Sequence, residues 1–411
     1  MVTSLQLFID IGVTETRFFW TVDEAIAGFW FAPRRSQSSD APPPSVGDIF
    51  VGRIRHVARD IEGAFVDIGL GRDGFISARR AQGKLVEGAL LPVRIRRPAV
   101  RHKGAELDGD WRGGLSQREI SIVKEWLATP PDAFARAPLW RDAALDIFRF
   151  LDSGRIERIT VNDVSAHNAV KEYLGDEWHG HLRLAKENLW TDEIEAELDA
   201  ALERTIDIPG GGRLIFDHTE AGVMIDIDAG SAADGGSGRL NDRVNAAAAK
   251  LLALEIERRA VSGLIVIDFL PPSGAKARQS LLRELGFVGR QGRLEKDGVF
   301  TVRRRFVRPC LLDMANPVIN ADSRLKEKSG GAAGSLAWTA GAAMRGLELR
   351  LARQRSTHFR MIVSPSMESY FADKQELVDQ LKARFGARFE IVGSDHADRS
   401  GRNGYDIVEN A

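Results

Sequence analysis

The stretch GVMIDID, residues 222–228, ends an apolar run with two aspartates two positions apart. Its apolar residues predict a buried β-strand, and side chains two positions apart on a strand point to the same face. Asp226 and Asp228 are therefore expected to project together. Two like charges this close repel each other and lose solvation unless a cation, hydrogen bonds or a proton compensates them. A divalent metal ion is the leading candidate for that compensation.

A second strand that ends in an aspartate follows along the chain. The segment GLIVIDF, residues 263–269, predicts a buried strand with Asp268 near its end, and residues 239–260 predict an amphipathic helix between the two strands. A strand–helix–strand unit of this length implies a parallel, right-handed crossover. The carboxyl ends of its strands meet at one edge of the sheet, where α/β proteins bind ligands. Asp268 is therefore expected to lie near Asp226 and Asp228.

Three carboxylates without a local His or Cys partner favour a hard cation such as Mg²⁺ or Mn²⁺. The chemistry predicted for such a site is metal-assisted hydrolysis of a phosphodiester. A strand-end aspartate can instead cap a helix or close a turn, and for either aspartate alone that role is the better interpretation. For all three together we favour the metal site. Asp217, His218 and Glu220, which precede the first strand, are interpreted as structural hydrogen-bonding residues.

The composition describes a soluble, globular, multidomain protein. A chain of 411 residues predicts two to four structural units, and 44% apolar with 28% charged residues excludes a disordered or fibrous class. The net charge of -1 means that any nucleic-acid surface must be local. Cys310 is the single cysteine, which excludes an internal disulfide and a multi-cysteine zinc cluster within one chain. Without a signal-like or membrane-length apolar run, the cytoplasm is the expected location.

Upstream of the aspartates, the sequence predicts a small closed β-barrel. Residues 32–45 are polar and proline-rich, which is typical of a linker, and residues 46–107 carry short strands separated by glycine turns. Such spacing favours a barrel of the OB type. Phe65 and Phe75 flank a glycine-rich turn within it, where aromatic side chains either stack on bases or pack in the core. For a single phenylalanine in a strand, core packing is the better interpretation.

Two basic runs favour binding of a single-stranded polyanion over core packing alone. A charge run usually marks only a solvated face, but one run lies beside the predicted barrel and the other follows the carboxylate cluster. The first comprises Arg94, Arg96, Arg97, Arg101 and Lys103, and the second comprises Arg303, Arg304, Arg305 and Arg308.

The remaining segments alternate between helix and strand, which is the pattern of an α/β protein. Residues 139–151, 165–175 and 193–208 predict helices, and residues 156–162 predict a strand. Residues after a glycine-rich break at 328–335 predict a compact αβαβ unit.

These segments resemble the ribonuclease E/G endoribonucleases. Residues 46–76, VGDIFVGRIRHVARDIEGAFVDIGLGRDGFI, resemble their S1-type RNA-binding motif, and GGGRLIFDHTEAGVMIDIDAG with GLIVIDF resembles their catalytic core. The likeness extends to VTETRFFW near the amino end, to IERITVNDVSAHNAVKEYLG, and to FRMIVSPSMESYFADKQELVDQLKARF in the carboxyl unit. It covers most of the chain.

The resemblance implies a multidomain α/β fold, in which an RNase H-like unit contains an inserted S1-type OB-fold barrel. A DNase I-like catalytic α/β unit and a small C-terminal α/β domain follow. The implied boundaries are 1–42 (first RNase H-like segment), 44–110 (S1-type barrel), 111–138 (shortened connection), 139–208 (second RNase H-like segment), 209–320 (catalytic unit) and 330–411 (C-terminal domain).

The resemblance also implies an activity: Mg²⁺-assisted cleavage of single-stranded, A/U-rich RNA that leaves 5′-phosphate and 3′-hydroxyl ends, as in rRNA processing or mRNA decay. It implies that Asp226 and Asp268 hold the metal, and that Phe65, Phe75 and Lys103 bind RNA. Asp228 stands where the family has an asparagine that orients the first aspartate.

Two family features are missing from the sequence. The zinc-binding cysteine pair that links family subunits has no counterpart in residues 315–331, so we expect no zinc, and a monomer or a homo-oligomer without a zinc link. Residues 111–138 show nothing like the family's Arg-Thr motif that senses a 5′-monophosphate. Two alternatives to the nuclease stay open at this point: an RNA-binding protein with a degenerate site, and a phosphoesterase that acts on another substrate.

Overall fold

The computed structural model describes residues 4–33, 44, 46–99, 104–113, 115, 117–129, 134–137, 143–151, 153–178, 180–219, 221–230, 238–306, 308–315, 336–395 and 404–410. These residues form two compact units. The first unit holds the described residues of ranges 1–34, 153–318 and 326–411, and the second holds those of 35–152. The architecture is mixed α/β.

The strands of the described residues follow one another along the chain in this order: β1 (Leu5–Ile11), β2 (Glu15–Val22), β3 (Ala25–Pro33), β4 (Ile49–Ala58), β5 (Gly63–Asp67), β6 (Gly74–Ser77), β7 (Leu90–Arg97), β8 (Glu106–Asp108), β9 (Ile156–Val161), β10 (Leu182–Leu184), β11 (Thr205–Asp207), β12 (Arg213–His218), β13 (Gly222–Asp228), β14 (Gly263–Asp268), β15 (Arg293–Leu294), β16 (Val299–Arg304), β17 (His358–Val363), β18 (Phe389–Gly393) and β19 (Tyr405–Asn410).

The α-helices of the same residues are α1 (Gln117–Ala128), α2 (Val164–Leu174), α3 (Asp192–Leu202), α4 (Gly238–Arg258), α5 (Ala275–Glu284), α6 (Gly286–Gln291), α7 (Leu311–Ala315), α8 (Leu336–Arg353), α9 (Pro365–Asp373) and α10 (Gln375–Phe385). Residues Ala143–Arg149 form a 3₁₀ helix where the sequence predicts an α-helix over 139–151. No helix in the described regions of the chain has both the length and the apolarity needed to cross a bilayer.

In the second unit, five strands close into a barrel, with neighbours in the order β4-β5-β6-β8-β7. Buried apolar side chains from all five strands fill its interior, among them Ile54, Val66, Ile76 and Leu107. The closed barrel predicted from the glycine-punctuated strands is therefore confirmed, and its form is consistent with an OB-fold. Helix α1 packs beside it through the buried Val123.

In the first unit, one sheet has the strand order β10-β9-β1-β2-β3. Strand β1 pairs antiparallel with β2 and parallel with β9. A cluster of aromatic side chains packs between this sheet and the helices around it, with Trp190 fully buried against the rings of Phe19, Phe29 and Phe31.

A second sheet of this unit has the order β11-β12-β13-β14-β16-β15. Strands β13 and β14 pair in parallel and α4 connects them, so the parallel pairing predicted for this strand–helix–strand unit is confirmed. Helix α4 buries one stripe, which includes Ala248 and Leu252, against the strand residues Ile225 and Ile267. The other side of β13 carries the exposed Met224 and Asp226. We call this side the open face.

The first strand of this second sheet, β11, lies where the sequence predicts the end of a helix. Helix α3 ends at Leu202, and residues 205–207 pair with β12 as the edge strand β11 instead of continuing the helix to 208. The C-terminal region contains α8, α9, α10 and a sheet of order β18-β17-β19. It therefore matches the predicted αβαβ unit, with β19 as an additional strand.

Two buried arginines tie α8 to the first sheet, and together with their partners we call them the buried ion cluster. Arg345 of α8 donates to Glu15 of β2 at 2.7 Å and lies 3.1 Å from a carboxylate oxygen of Glu195 in α3. Arg17 of β2 pairs with Asp10 at 3.1 Å and with Glu348 of α8. Buried charges of this kind stabilise a structure only while each keeps its partners.

Candidate active site

Two of the predicted aspartates lie directly opposite each other on neighbouring strands. Asp226 of β13 and Asp268 of β14 are register partners in the parallel pair. Neighbouring strands are about 4.8 Å apart, and partners in a ladder project to the same face. Both side chains are exposed on the open face. We call Asp226 and Asp268 the acid pair.

No described residue compensates the charge of the acid pair. Among the described residues, none donates a hydrogen bond to Asp226 or Asp268 or forms an ion pair with either. The open face carries another aspartate, Asp217 of β12, and Arg204 pairs with it at 2.7 Å. Two adjacent, uncompensated carboxylates are the donors that a hard divalent cation takes from a protein when water and phosphate complete its coordination. The acid pair therefore fits such an ion.

Asp228 projects to the same face as Asp226, as predicted, but its charge is matched. The backbone N–H of Gly230 donates to one carboxylate oxygen at 2.8 Å, and Arg213 of β12 donates to the other at 2.5 Å. These two contacts lower the pKa of Asp228, and the hydrogen bond from Gly230 has the larger effect. The described residues contain no group of three or more His, Cys, Asp or Glu side chains placed to hold a metal ion.

Contacts that the sequence analysis missed fix the chain just after Asp268. Asn245 of α4 accepts from the backbone N–H of Leu270 at 3.1 Å and donates to the carbonyl of the same residue at 2.8 Å. Asp242 accepts from the backbone N–H of Ser273 at 3.0 Å. Their spacing on one side of α4 is the signal that could have identified them, because residues three apart on a helix are neighbours.

A glycine allows the strands to approach closely beside the acid pair. Gly298 precedes Val299, the register partner of Asp268, and has a φ of +110°. A Cβ atom at this position would lie 2.2 Å from the carbonyl oxygen of Phe269. Only glycine fits this backbone conformation and this spacing.

The open face continues from the acid pair over an apolar surface to an arginine. Met224, two positions before Asp226, is 51% exposed and is the register partner of Val266. One step further along the strands, Arg303 of β16 is exposed opposite Leu264. No other described residue pairs with Arg303. The open face therefore presents a cation, an apolar surface and the acid pair in sequence.

The second basic run does not form one exposed strip, which corrects the expectation from the sequence. Arg304 donates to the carbonyl of Val261 at 3.1 Å and pairs with Glu257 at 2.5 Å. Arg308 is buried over the ring of Trp20, and burial lowers the pKa of Arg308 to about 10. Arg303 and Arg305 are the members that are exposed.

In the barrel, the two phenylalanines form an aromatic pair on the outside. Phe65 and Phe75 are register partners on β5 and β6, and their ring centroids lie 5.5 Å apart in an edge-to-face arrangement. Phe65 is 36% exposed and Phe75 is half-buried, whereas the neighbours of Phe65, Ala64 and Val66, are completely buried. The Phe65 ring is thus available to a ligand.

The first basic run is partly committed to contacts within the protein. Arg94 donates to the carbonyl of Gly113, Arg96 pairs with Glu106, and Arg97 is half-buried. Arg101 and Lys103 lie outside the described residues.

The single cysteine lies in the first unit, in the turn before α7. Cys310 is buried, and burial raises the pKa of its thiol to about 11. A thiol in this state is a poor nucleophile and a poor metal ligand. Residues 316–335, where the family's zinc-binding pair would stand, lie outside the described residues.

Comparisons with known proteins cover the region of the acid pair. A sequence profile of the Ribonuclease E/G family matches residues 93–299, just over half of the chain, which includes β13 and β14. Ribonuclease G of Escherichia coli (strain K12) is 24% identical over 360 residues, covering 66% of this chain and 72% of that protein. Ribonuclease E of Synechocystis sp. is 24% identical over 343 residues, covering 63% and 51%. A chloroplastic ribonuclease E/G-like protein of Arabidopsis thaliana is 30% identical over 133 residues, covering 30% and 13%.

Proposed function

The chain belongs to the Ribonuclease E/G family and is an endoribonuclease with a role in RNA processing, and from this premise we propose where and how it cuts. The proposed reaction is hydrolysis of single-stranded RNA at the acid pair, assisted by Mg²⁺ or Mn²⁺, to leave 5′-phosphate and 3′-hydroxyl ends. The observation that carries the proposal is the exposed register pair Asp226 and Asp268, which no described residue compensates. The first unit would accordingly comprise the RNase H-like and DNase I-like folds of the family.

Asp226 and Asp268 would hold the divalent cation. Such an ion offsets the negative charge on the scissile phosphate and lowers the pKa of the attacking water. Asn245 keeps Asp268 in place by holding Leu270, so the carboxylates stay adjacent without reorganisation. Arg303, exposed on the same face, would bind a backbone phosphate of the RNA strand.

Phe65 and Phe75 would bind RNA bases on the second unit, because an exposed aromatic ring stacks on any base. Lys103 and the exposed arginines would add contacts to phosphate. RNA processing or decay in the cytoplasm, by a monomer or by a homo-oligomer without a zinc link, is the proposed setting.

Phe65→Ala is expected to weaken the binding of single-stranded RNA by about 5- to 150-fold, which corresponds to the roughly 1–3 kcal/mol of one base–aromatic stack. Duplex RNA should be affected less, since its bases are not free to stack on the ring. The measurement is fluorescence anisotropy with labelled single-stranded and duplex RNA, beside a thermal melt. Leu90→Ala removes another exposed apolar side chain of the barrel and serves as the control. If Phe65→Ala unfolds the barrel instead, the ring belongs to the core.

Cleavage is expected not to depend on the phosphorylation state of the RNA 5′ end. A sensor for a 5′-monophosphate needs an arginine and a hydroxyl group free to form charge-assisted hydrogen bonds. In residues 111–138, Arg112 lies 4.5 Å from the ring centroid of Trp111, and Arg136 pairs with Asp48 at 2.5 Å. The Arg118 side chain lies outside the described residues.

The experiment for this expectation compares initial rates on one RNA that carries a 5′-monophosphate, a 5′-triphosphate or a 5′-hydroxyl, together with its circular form. We expect equal rates within a few-fold. A preference of tenfold or more for the monophosphate would reveal a sensor and contradict the proposal.

A further inference from the structure

We propose that Arg213 sets the charge of the metal-binding face: it neutralises Asp228, so that this carboxylate does not add to the negative charge that the acid pair presents to the cation and to the RNA. Asp207 of β11, the register partner of Arg213 on the other side, is the second carboxylate that acts on this arginine, but Asp228 is the one that Arg213 contacts. Arg213 is therefore a positioning residue, which acts through Asp228 without touching the substrate. The inference rests on the proposed metal site at Asp226 and Asp268.

The contacts of Asp228 show how it is kept away from a bound cation. Arg213 and Asp228 are register partners across the β12–β13 hairpin, with an N–O distance of 2.5 Å. The second carboxylate oxygen accepts from the backbone N–H of Gly230 at 2.8 Å. Both oxygens of Asp228 are thus engaged, one by the neighbouring strand and the other by the turn that follows β13.

Charge compensation on this face is selective. Strands β12 and β13 carry three aspartates, and two of them have an arginine of their own: Asp228 pairs with Arg213, and Asp217 pairs with Arg204. Asp226 is the third, and it has no such partner among the described residues. Among the aspartates of these two strands, the described residues therefore leave uncompensated only the one that faces Asp268.

Asp226 and Asp228 are close enough for the neutralisation of Asp228 to affect a cation held by the acid pair. Residues two apart on a strand are separated by about 6.7 Å, which is inside the Debye length at physiological salt. A free Asp228 would raise the local charge from two negative charges to three. A divalent cation would then bind more tightly, by about three- to tenfold in exposed surroundings. The RNA phosphates would be repelled, so their affinity should fall by a similar factor.

The opposite view is that Arg213 and Asp228 form an ordinary surface ion pair. Both side chains are partly exposed, and a pair of this kind contributes little to stability. That view predicts no change in cation affinity when Arg213 is replaced, and the two views therefore differ in a measurable quantity.

The experiment measures Mg²⁺ binding to the metal-free full chain by calorimetry, without RNA, and in parallel the affinity for a single-stranded RNA without Mg²⁺. Arg213→Gln should tighten Mg²⁺ binding three- to tenfold and weaken RNA binding by a similar factor. Arg213→Lys, and the double variant Arg213→Gln with Asp228→Asn, should restore both affinities. Asp228→Asn alone leaves Arg213 unpaired and should weaken Mg²⁺ binding three- to tenfold. If Arg213→Gln folds poorly, Asp228→Asn still tests the proposal, because its Mg²⁺ affinity is expected to change in the opposite direction.

The matched control is Arg360→Gln. Arg360 and Glu390 are also an exposed register pair on neighbouring strands, but in the C-terminal sheet. Neither affinity should change in this variant. A general effect of net charge would instead move both affinities here as well, and would overturn the proposal.

The outcome for Asp226→Asn separates the two levels of inference. If this variant loses Mg²⁺ binding while Arg213→Gln and Asp228→Asn both keep the wild-type affinity within twofold, the role of Arg213 is refuted and the metal site stands. If Asp226→Asn itself keeps the wild-type Mg²⁺ affinity, the metal site is refuted, and the role of Arg213 with it.

Discussion

Asp226→Asn and Asp268→Asn are each expected to lower the rate of RNA cleavage by at least about a hundredfold, because each removes one of the two charges of the acid pair. Affinity for single-stranded RNA should not be lost, and without Mg²⁺ it should rise by up to about tenfold, because each variant removes a negative charge that repels phosphate. The charge of the acid pair is needed for the chemistry, whereas the strand is held mainly by aromatic and cationic side chains elsewhere. The variants should therefore bind RNA and fail to cut it.

Single-turnover cleavage of a labelled RNA, with the enzyme in excess, measures this loss separately from binding. Asp217→Asn is the matched control, since Asp217 is an aspartate on the same open face that already pairs with Arg204. Its cleavage rate should stay within a few-fold of the wild type. Near-normal cleavage by either Asp226→Asn or Asp268→Asn would refute the assignment of the acid pair.

Arg345→Met is expected to destabilise the first unit by about 3–5 kcal/mol, the usual cost of removing one partner from a buried ion cluster. Arg345 lies buried between the carboxylates of Glu15 and Glu195. Its Cζ atom lies 5.2 Å from the ring centroid of Phe31 and 5.3 Å from that of Trp338. Methionine keeps much of the apolar contact but leaves both carboxylates without their cation. The loss is therefore electrostatic rather than a loss of packing.

Urea denaturation followed by circular dichroism gives the change in the unfolding midpoint. Arg353→Met is the control on the same helix, because Arg353 forms an exposed ion pair with Asp192 and should change stability by less than about 0.5 kcal/mol. Adding Glu195→Gln to Arg345→Met should recover some of the loss. A cost below about 1 kcal/mol for Arg345→Met would show that the cluster is solvated or relaxes.

The acid pair was predictable from the sequence because it follows from two local rules. Alternation along GVMIDID places Asp226 on the side away from the core, and the length of the intervening helix requires a parallel return that ends in Asp268. The barrel followed in the same way from strands separated by glycine turns. The role of Arg213 could not be predicted from the sequence. Its contact with Asp228 depends on the register of a hairpin, which composition alone does not specify.

The second basic run illustrates what a linear pattern leaves out. Consecutive residues of a strand point to opposite sides, so Arg303 faces solvent while Arg304 turns toward backbone carbonyls. Arg308 lies beyond the strand and is buried. Strand β11 was missed for a related reason: three residues at the edge of a sheet are stabilised by their neighbour β12, not by their own sequence.

The acid pair forms only when the protein folds, because it depends on the parallel pairing of β13 with β14. Asp226 and Asp268 come from strands joined by the whole of α4, and they become neighbours only when β14 has docked in the observed register. A slip of one residue would turn Asp268 toward the side that α4 covers. A divalent cation held by both carboxylates is thus a ligand of the native state alone, and it stabilises that state in proportion to the logarithm of its concentration. Under the proposed function, a nascent chain that already contains both aspartates cannot cleave its own mRNA until β14 has paired with β13.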